Sequence, residues 1–297
     1  VPLTYATAGE SHGPALIALI EGLPAGLHLT PDDIDGDLAR RQLGYGRGGR
    51  MKLETDRAQV KSGIRHGKTL GSPVALEIVN RDFQNWEADR MAIWEPASEV
   101  APITLPRPGH ADLAGMQKYG TNDLRNILER ASARETAARV AAGGVAKALL
   151  RRFGIEVRSH VVRIGAVAVA DRDDLQLDDF ARVDASPVRC LDGDASEAMK
   201  AAIKSAGQRH DTLGGHFEVW AFGLIPGLGS HVSGQTRLDG RIGGAMLSIQ
   251  AIKGVEFGAG FRLGEIPGSQ AHDEIFWTSE RGYHRATNRA GGLEGGM

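Results

Sequence analysis

The sequence predicts a fold of mixed helices and strands, of the α/β (α+β) class, arranged as a single domain over residues 1–297. Alternating or β-branched apolar runs predict strands at residues 3–8, 15–21, 59–64, 73–79, 156–170 and 217–224. Helices are predicted between them, from residue 31, over 132–153 and over 196–205. No Pro/Ser-rich linker separates the two halves of the chain, so we predict one domain.

The first helix has start and stop signals at both ends. Thr30 is suited to be the N-cap and Pro31 to the first helical position, and Gly44 follows the helix as a stop. Charges of the favourable sign for the helix dipole occupy the first and last turns, namely Asp32, Asp33, Arg40 and Arg41. The loop that follows, residues 44–50, is rich in glycine and arginine.

The helix predicted over residues 132–153 begins at a possible capping box, in which the Ser132 side chain bonds the backbone three residues on and Glu135 reaches back. Its body is mostly alanine, valine and glycine. We therefore expect that a neighbouring backbone packs very close to it.

An internal echo predicts a duplicated strand–turn–helix core. The apolar run at 15–21 leads into Gly-Leu-Pro-Ala-Gly-Leu at 22–27, and the run at 219–222 leads into Gly-Leu-Ile-Pro-Gly-Leu at 223–228. A helical segment is predicted after each turn. Short matches of this kind also arise by chance.

Composition excludes several classes of protein. A formal net charge of −2 argues against general nucleic-acid binding. Cys190 is the only cysteine, so no intrachain disulfide or thiolate metal site is expected, and a reducing, cytoplasmic location fits best. No His-x-His or His-Glu-x-x-His pattern indicates a metal, and no run of 18 apolar residues indicates a membrane span.

Two histidines in turn-rich contexts are the candidate catalytic residues. His12 stands in Gly-Glu-Ser-His-Gly and His110 in Arg-Pro-Gly-His-Ala-Asp, where glycine and proline hold the imidazole in an irregular backbone. Histidine exchanges protons near neutral pH, which favours proton-transfer chemistry. The alternative is that both are ordinary loop histidines with satisfied hydrogen bonds.

Arginines surround these histidines in the sequence and predict an anionic substrate. The candidate anion-binding residues are Arg40, Arg41, Arg47, Arg50, Arg107 and Arg134. Guanidinium groups bind carboxylate and phosphate in a fork and stay charged when desolvated. The alternatives are a solvated Arg-Gly loop or an RNA-binding loop, and the latter would need repeats and aromatics that the sequence lacks.

The chain resembles the chorismate synthase family in motifs that occur in the family's order over the whole chain. They are GESHG at 9–13, LARRQLGYGRGGRM at 38–51, RPGHAD at 107–112, ERASARETAARVAAG at 129–143, DTLGG at 211–215, SIQAIKGVEFGAGF at 248–261, SQAHDE at 269–274 and NRAGGLEGGM at 288–297. The resemblance implies a β-α-β sandwich with internal pseudo-symmetry, assembled as a homotetramer.

The resemblance also implies an activity: anti 1,4-elimination of phosphate from 5-enolpyruvylshikimate 3-phosphate to give chorismate, with reduced FMN (FMNH2) and no net redox change. It implies that His12 protonates the leaving phosphate and that His110 lies beside the flavin. Substrate contacts are expected from Ser11, Arg40, Arg41, Arg47, Arg50, Arg107 and Arg134. Flavin contacts are expected from Arg41, Arg47, His110, Arg130, Ala131, Ser132, Gln250, Ala251 and Gly295.

Family members continue with a Lys-Pro flavin-binding stretch and an Arg…Asp motif, so we expect that this chain is C-terminally incomplete at Met297. No Gly-x-Gly-x-x-Gly follows a strand to bind NADPH, which favours an external flavin reductase as partner. Two alternatives to this function are a flavin-independent lyase or phosphotransferase and a non-catalytic anion-binding module.

Overall fold

The computed structural model describes residues 2–48, 54–86, 91–94 and 100–297. Eleven strands are present in these ranges: β1 Thr4–Ala8, β2 Ala15–Glu21, β3 Ala58–Ser62, β4 Ile64–Arg65, β5 Lys68–Thr69, β6 Val74–Val79, β7 Glu156–Ile164, β8 Val167–Ala168, β9 Gly215–Phe222, β10 Ile275–Thr278 and β11 Gly282–Arg285. The α-helices there are α1 Pro31–Gln42, α2 Asp112–Tyr119, α3 Arg125–Ala131, α4 Thr136–Arg151, α5 Phe180–Ala185, α6 Gly193–Gln208, α7 Leu238–Leu247 and α8 Gly268–Ala271.

The N-terminal half is an antiparallel sheet in the order β1-β2-β6-β3 with α1 and α4 packed on one face. Alternate strand residues point to opposite faces, so Leu16, Leu76 and Ile78 enter the core while their neighbours do not. The alanines of α4 complete this core. The predicted strands in this half and the predicted first helix are confirmed.

Helix α4 approaches α1 closely, as its small residues predict. A Cβ on Gly144 would lie 2.5 Å from the backbone oxygen of Asp33, so no other residue fits there without displacing α1. This contact fixes the middle of α4 against the first turn of α1.

The C-terminal half has a second antiparallel sheet, in the order β8-β7-β9, with α5 and α6 beside it. A separate hairpin pairs β10 with β11. Antiparallel sheets with packed helices make this an α+β fold, which confirms the predicted class. No helix in the described ranges is long and apolar enough to cross a membrane.

The two similar turns, at residues 22–27 and 223–228, have similar backbone φ angles at their glycines. Gly22 and Gly26 have φ values of +84° and +84°, and Gly223 and Gly227 have +75° and +90°. The first turn joins β2 to the segment before α1, and the second joins β9 to the segment before α7. The predicted duplicated strand–turn–helix unit is therefore present in the structure.

The predicted capping box at Ser132 is wrong in its details. The Ser132 hydroxyl accepts a hydrogen bond from the backbone N–H of Arg134, and residues Ala133–Glu135 form a short 3-10 helix before α4. Glu135 does not return to the cap, because its carboxylate binds side chains from β1 and from the segment after α7. The helix start is consequently part of a larger polar network.

Candidate functional site

The turn that carries His12 is fixed by glycine and by a buried amide. Gly9 has φ +101°, and a Cβ there would lie 2.3 Å from the backbone oxygen of Ala15. The Asn80 side chain, just after β6, donates hydrogen bonds to the backbone oxygens of Glu10 (3.0 Å) and Gly13 (2.8 Å). The turn between β1 and β2 is thus tied to the sheet on both sides of His12.

The imidazole of His12 is held by the carboxylate of Glu129 in α3. Nδ1 lies 2.9 Å and 3.0 Å from the two carboxylate oxygens, and the His12 backbone N–H donates to the same group at 2.7 Å. The ring stacks on Trp86 with 3.8 Å between centroids, and Nε2 lies 3.9 Å from Asp82. His12 is therefore an oriented ring with Nε2 directed away from Glu129.

The second histidine belongs to a compact cluster at the start of α2. His110 Nδ1 lies 2.5 Å from the carboxylate of Asp112, and the Arg107 guanidinium donates to that carboxylate at 2.9 Å and 3.2 Å. Hydrogen bonds from Arg107 hold the pKa of Asp112 well below its usual range, although burial acts in the opposite direction. The same bonds raise the pKa of Arg107, and the charge of Glu129 adds to this increase.

Replacing Asp112 with Asn should destabilise the protein in a pH-dependent way. Because folding lowers the pKa of Asp112, its stabilising effect is complete above the unfolded-state value of about 3.9 and is lost as the pH falls through the folded-state value. We expect a cost of about 1.5–3 kcal/mol at pH 6, towards the lower end because Arg107 is 53% exposed. Chemical denaturation of both proteins from pH 6 to pH 3 measures this difference. A difference that stays constant below pH 4 would contradict the assignment.

Arg41 and Arg134 share the buried carboxylate of Asp56. Arg134 donates to Asp56 at 2.7 Å and to Asn80 at 2.9 Å, while Arg41 contacts Asp56 at 3.4 Å and the backbone oxygen of Ala133 at 3.2 Å. The two side chains differ in exposure: 5% for Arg134 and 14% for Arg41. Arg134 is thus enclosed by its acidic and amide partners, Arg41 is somewhat more exposed, and the anion contacts predicted for both remain predictions.

The other predicted arginines are less closely grouped. Arg40 forms an ion pair with Asp37 one turn earlier in α1, at 3.0 Å. Arg47 is exposed, and within the described ranges it makes no hydrogen bond or ion pair. The adjacent Gly46 approaches Ile203 of α6, which draws this turn towards the second half of the chain. Arg50 lies outside the described residues.

The residues predicted to contact flavin fall into two groups. Arg130 donates to the backbone oxygens of Thr7 (2.8 Å) and Gly9 (3.1 Å), Ala131 ends α3, and Ser132 donates to Ser11 at 3.1 Å. This first group is hydrogen-bonded to the His12 turn, so Ser11, Ser132 and His12 belong to one cluster.

Glu135 joins the second group to the first. Its carboxylate accepts from the Thr7 hydroxyl at 2.5 Å and from the Gln250 amide at 2.7 Å. Burial would raise the pKa of Glu135, but these bonds and the charge of Arg139 outweigh it and lower that pKa. Ala251 has φ +67°, a rare conformation for a residue with a side chain.

Gly295 does not lie beside Gln250 and Ala251. The C-terminal segment contacts the beginning of α7, where Leu238 donates to the backbone oxygen of Gly296 at 2.8 Å. Gln250 and Ala251 follow the opposite end of α7, and ten helical residues span about 15 Å. The predicted common contact of Gly295 and Gln250 with one ligand therefore needs a group long enough to follow the helix.

Sequence reasoning missed the acidic partners of the site. Asp56 was not predicted, and Glu129 and Asp112 were only quoted inside motifs, yet each holds a predicted residue at hydrogen-bond distance. The one local signal was Asp112, two residues after His110. An isolated carboxylate more than a hundred residues from its histidine leaves no pattern in a single sequence.

The α+β scaffold carries two imidazoles held by carboxylates, His12 by Glu129 and His110 by Asp112 beside Arg107, and such groups are suited to acid–base chemistry on an anionic substrate. Comparisons with known proteins agree. The family model described as chorismate synthase matches residues 3–297. The chain is 59% identical to the chorismate synthase of Symbiobacterium thermophilum over 301 residues, covering 99% of this chain and 77% of that protein. It is 57% identical to that of Moorella thermoacetica over 295 residues, covering 99% and 76%.

A solved structure described as a crystal structure of chorismate synthase is 44% identical, with a TM-score of 0.84, and covers 100% of this chain and 81% of that one. The chain therefore belongs to the chorismate synthase family. It is a carbon–oxygen lyase of the shikimate pathway, which eliminates phosphate from 5-enolpyruvylshikimate 3-phosphate to give chorismate. The family is flavin dependent.

Proposed function

We propose that this chain eliminates phosphate at the site around His12, with His12 as the general acid. The observation that carries the proposal is the fixed imidazole: Glu129 engages Nδ1, which directs Nε2 away from Glu129 and towards the side of Asp82. Departure of phosphate from an allylic carbon develops negative charge on the leaving oxygen. A proton from Nε2 of His12 neutralises that charge as the carbon–oxygen bond breaks.

Arg107 and Arg41 are the proposed sources of positive charge for the same step. Arg107 is 53% exposed and keeps donors for a ligand beyond those used by Asp112. Arg41 is oriented by Thr136 at 3.1 Å and by Asp56, and it is partly exposed. Guanidinium donors already in place stabilise a departing phosphate without reorganisation. Arg47 and Arg50 remain proposed anion ligands on the basis of the resemblance.

The residues around Gln250 fit a flavin. The Gln250 amide oxygen is buried and has no hydrogen-bond partner in the described part of the chain. The strained backbone at Ala251 and the Arg130–Ser132 segment lie on the same network, through Glu135. Reduced FMN, when bound, supplies transient electron density that makes loss of the ring hydrogen feasible. Gln250, Arg130 and Ser132 would hold it, with His110 beside it.

We also propose a homotetramer, a cytoplasmic location and an external flavin reductase. The outer face of the first sheet presents apolar side chains that a subunit contact would bury; they are Ala6, Ile17, Leu19, Ala75 and Val79. Leu19 is 37% and Val79 is 45% exposed. An apolar face of this kind is typical of an association surface.

A flavin titration tests the proposal against its two alternatives. We expect 5-enolpyruvylshikimate 3-phosphate to change the absorbance spectrum of dithionite-reduced FMN only when the protein is present, and chorismate to accumulate. Turnover without flavin would indicate a flavin-independent lyase. Neither a spectral change nor turnover would indicate a non-catalytic anion-binding module.

A further inference from the structure

We propose that Glu129 is the positioning residue for His12: its carboxylate fixes the Nδ1–H tautomer of the imidazole and directs Nε2 to the leaving phosphate. This inference rests on the proposed role of His12 as general acid. It adds a residue that no sequence motif or comparison assigned to the reaction.

The contacts of Glu129 reach both the ring and the backbone of the His12 turn. Its side chain is 2% exposed, and its two oxygens are shared between Nδ1 and the His12 N–H. Its own backbone oxygen accepts from the N–H of Ser11 at 3.0 Å. The next residue, Arg130, bonds the backbone of Thr7 and Gly9. The end of α3 therefore holds the turn on both sides of the imidazole.

An ionised carboxylate can only accept hydrogen bonds, so the Nδ1 atom that faces Glu129 must carry a proton. In the protonated ring Nε2 carries the second proton. When the carbon–oxygen bond of the substrate breaks, the Nε2 proton passes to the leaving phosphate oxygen. The neutral ring that remains is the Nδ1–H tautomer, which Glu129 already stabilises.

Two carboxylates and one aromatic ring surround the His12 imidazole. Asp82 faces Nε2 at 3.9 Å, and the Trp86 ring covers one face of the imidazole. Glu129 is thus the carboxylate that engages Nδ1, while Asp82 lies on the side from which a substrate would approach.

The test combines nitrogen NMR with the pH dependence of turnover. Nitrogen chemical shifts of His12 in the unmodified protein should identify the neutral ring as the Nδ1–H tautomer. Glu129→Gln should mix the two tautomers and lower turnover by roughly 10–10²-fold, less than the 10²–10⁴-fold expected for losing the acid. The descending limb of the pH profile should move to lower pH, because a protonated ring loses its negative neighbour.

A matched control separates positioning from stability. Glu218 forms a similar pair with His160 in the second sheet, at 3.0 Å, so Glu218→Gln removes the same chemistry elsewhere. We expect that control to leave the His12 shifts and the pH limb unchanged, and Glu129→Asp to restore part of the turnover lost in Glu129→Gln.

An Nε2–H tautomer in the unmodified protein would overturn the inference, even if every Glu129 variant failed to fold. Unchanged His12 shifts and an unchanged pH limb in Glu129→Gln would overturn it as well. Failure of the proposed function looks different: His12→Ala would then retain full turnover, whatever Glu129 does.

Discussion

Replacing His12 with Ala should slow turnover by roughly 10²–10⁴-fold while flavin binding changes little. The imidazole is held with Nε2 away from Glu129, so its loss removes the proposed proton donor of the phosphate. His12 is held by Glu129 and lies against Trp86, whereas Gln250 is held by Glu135, so we expect the effect on flavin to be small. Single-turnover rates and the dissociation constant for reduced FMN measure the two effects separately.

His110→Ala provides the comparison for this prediction. It should also slow turnover, but with an altered spectrum of the bound reduced flavin, because His110 belongs to the separate Arg107–Asp112 cluster at the start of α2. Identical rates, pH profiles and flavin spectra in the two variants would show that the histidines do not divide the work in this way, even though the family assignment stands.

Local signals in the sequence were enough for much of this fold. Proline at the start of α1, acidic residues in its first turn and basic residues in its last predicted the helix correctly. A short apolar run predicted β2, and β-branched residues in alternation predicted β6; the two strands pair in the sheet. The two matching turns carry glycines at the same positions, and these glycines adopt the positive φ values that glycine tolerates best.

The partners of the site could not be found in this way, because they depend on long-range packing. Glu129 is 117 residues from His12 and Arg134 is 78 residues from Asp56, so no local spacing relates them. The burial of Arg134 could not be read from the sequence either. An arginine at a helix start suggests an anion ligand, and only the packing of α4 against the first sheet shows that Arg134 is enclosed.

Of the substitutions proposed here, Arg134→Met should reduce stability the most. Its guanidinium lies between the carboxylates of Asp56 (2.7 Å) and Glu54 (3.6 Å), and the side chains of both acids are at most 2% exposed. Replacing Arg134 with Met keeps most of the volume but removes the charge that compensates two buried carboxylates. We expect the free energy of unfolding to fall by about 3–5 kcal/mol. Urea denaturation at a fixed protein concentration measures the change.

Arg151→Met is the control for this experiment. Arg151 is the last residue of α4, the helix that follows Arg134, but its ion pair with Asp33 is at the surface, so the expected cost is about 0–1 kcal/mol. Adding Asp56→Asn to Arg134→Met should recover part of the lost stability, because one of the two buried carboxylates that had faced Arg134 is removed as well. If Arg134→Met instead kept its stability and lost only affinity for the phosphorylated substrate, the guanidinium would be an anion ligand after all. Because Asp56, Glu54 and Asn80 enclose the Arg134 guanidinium, we expect the variant to lose stability.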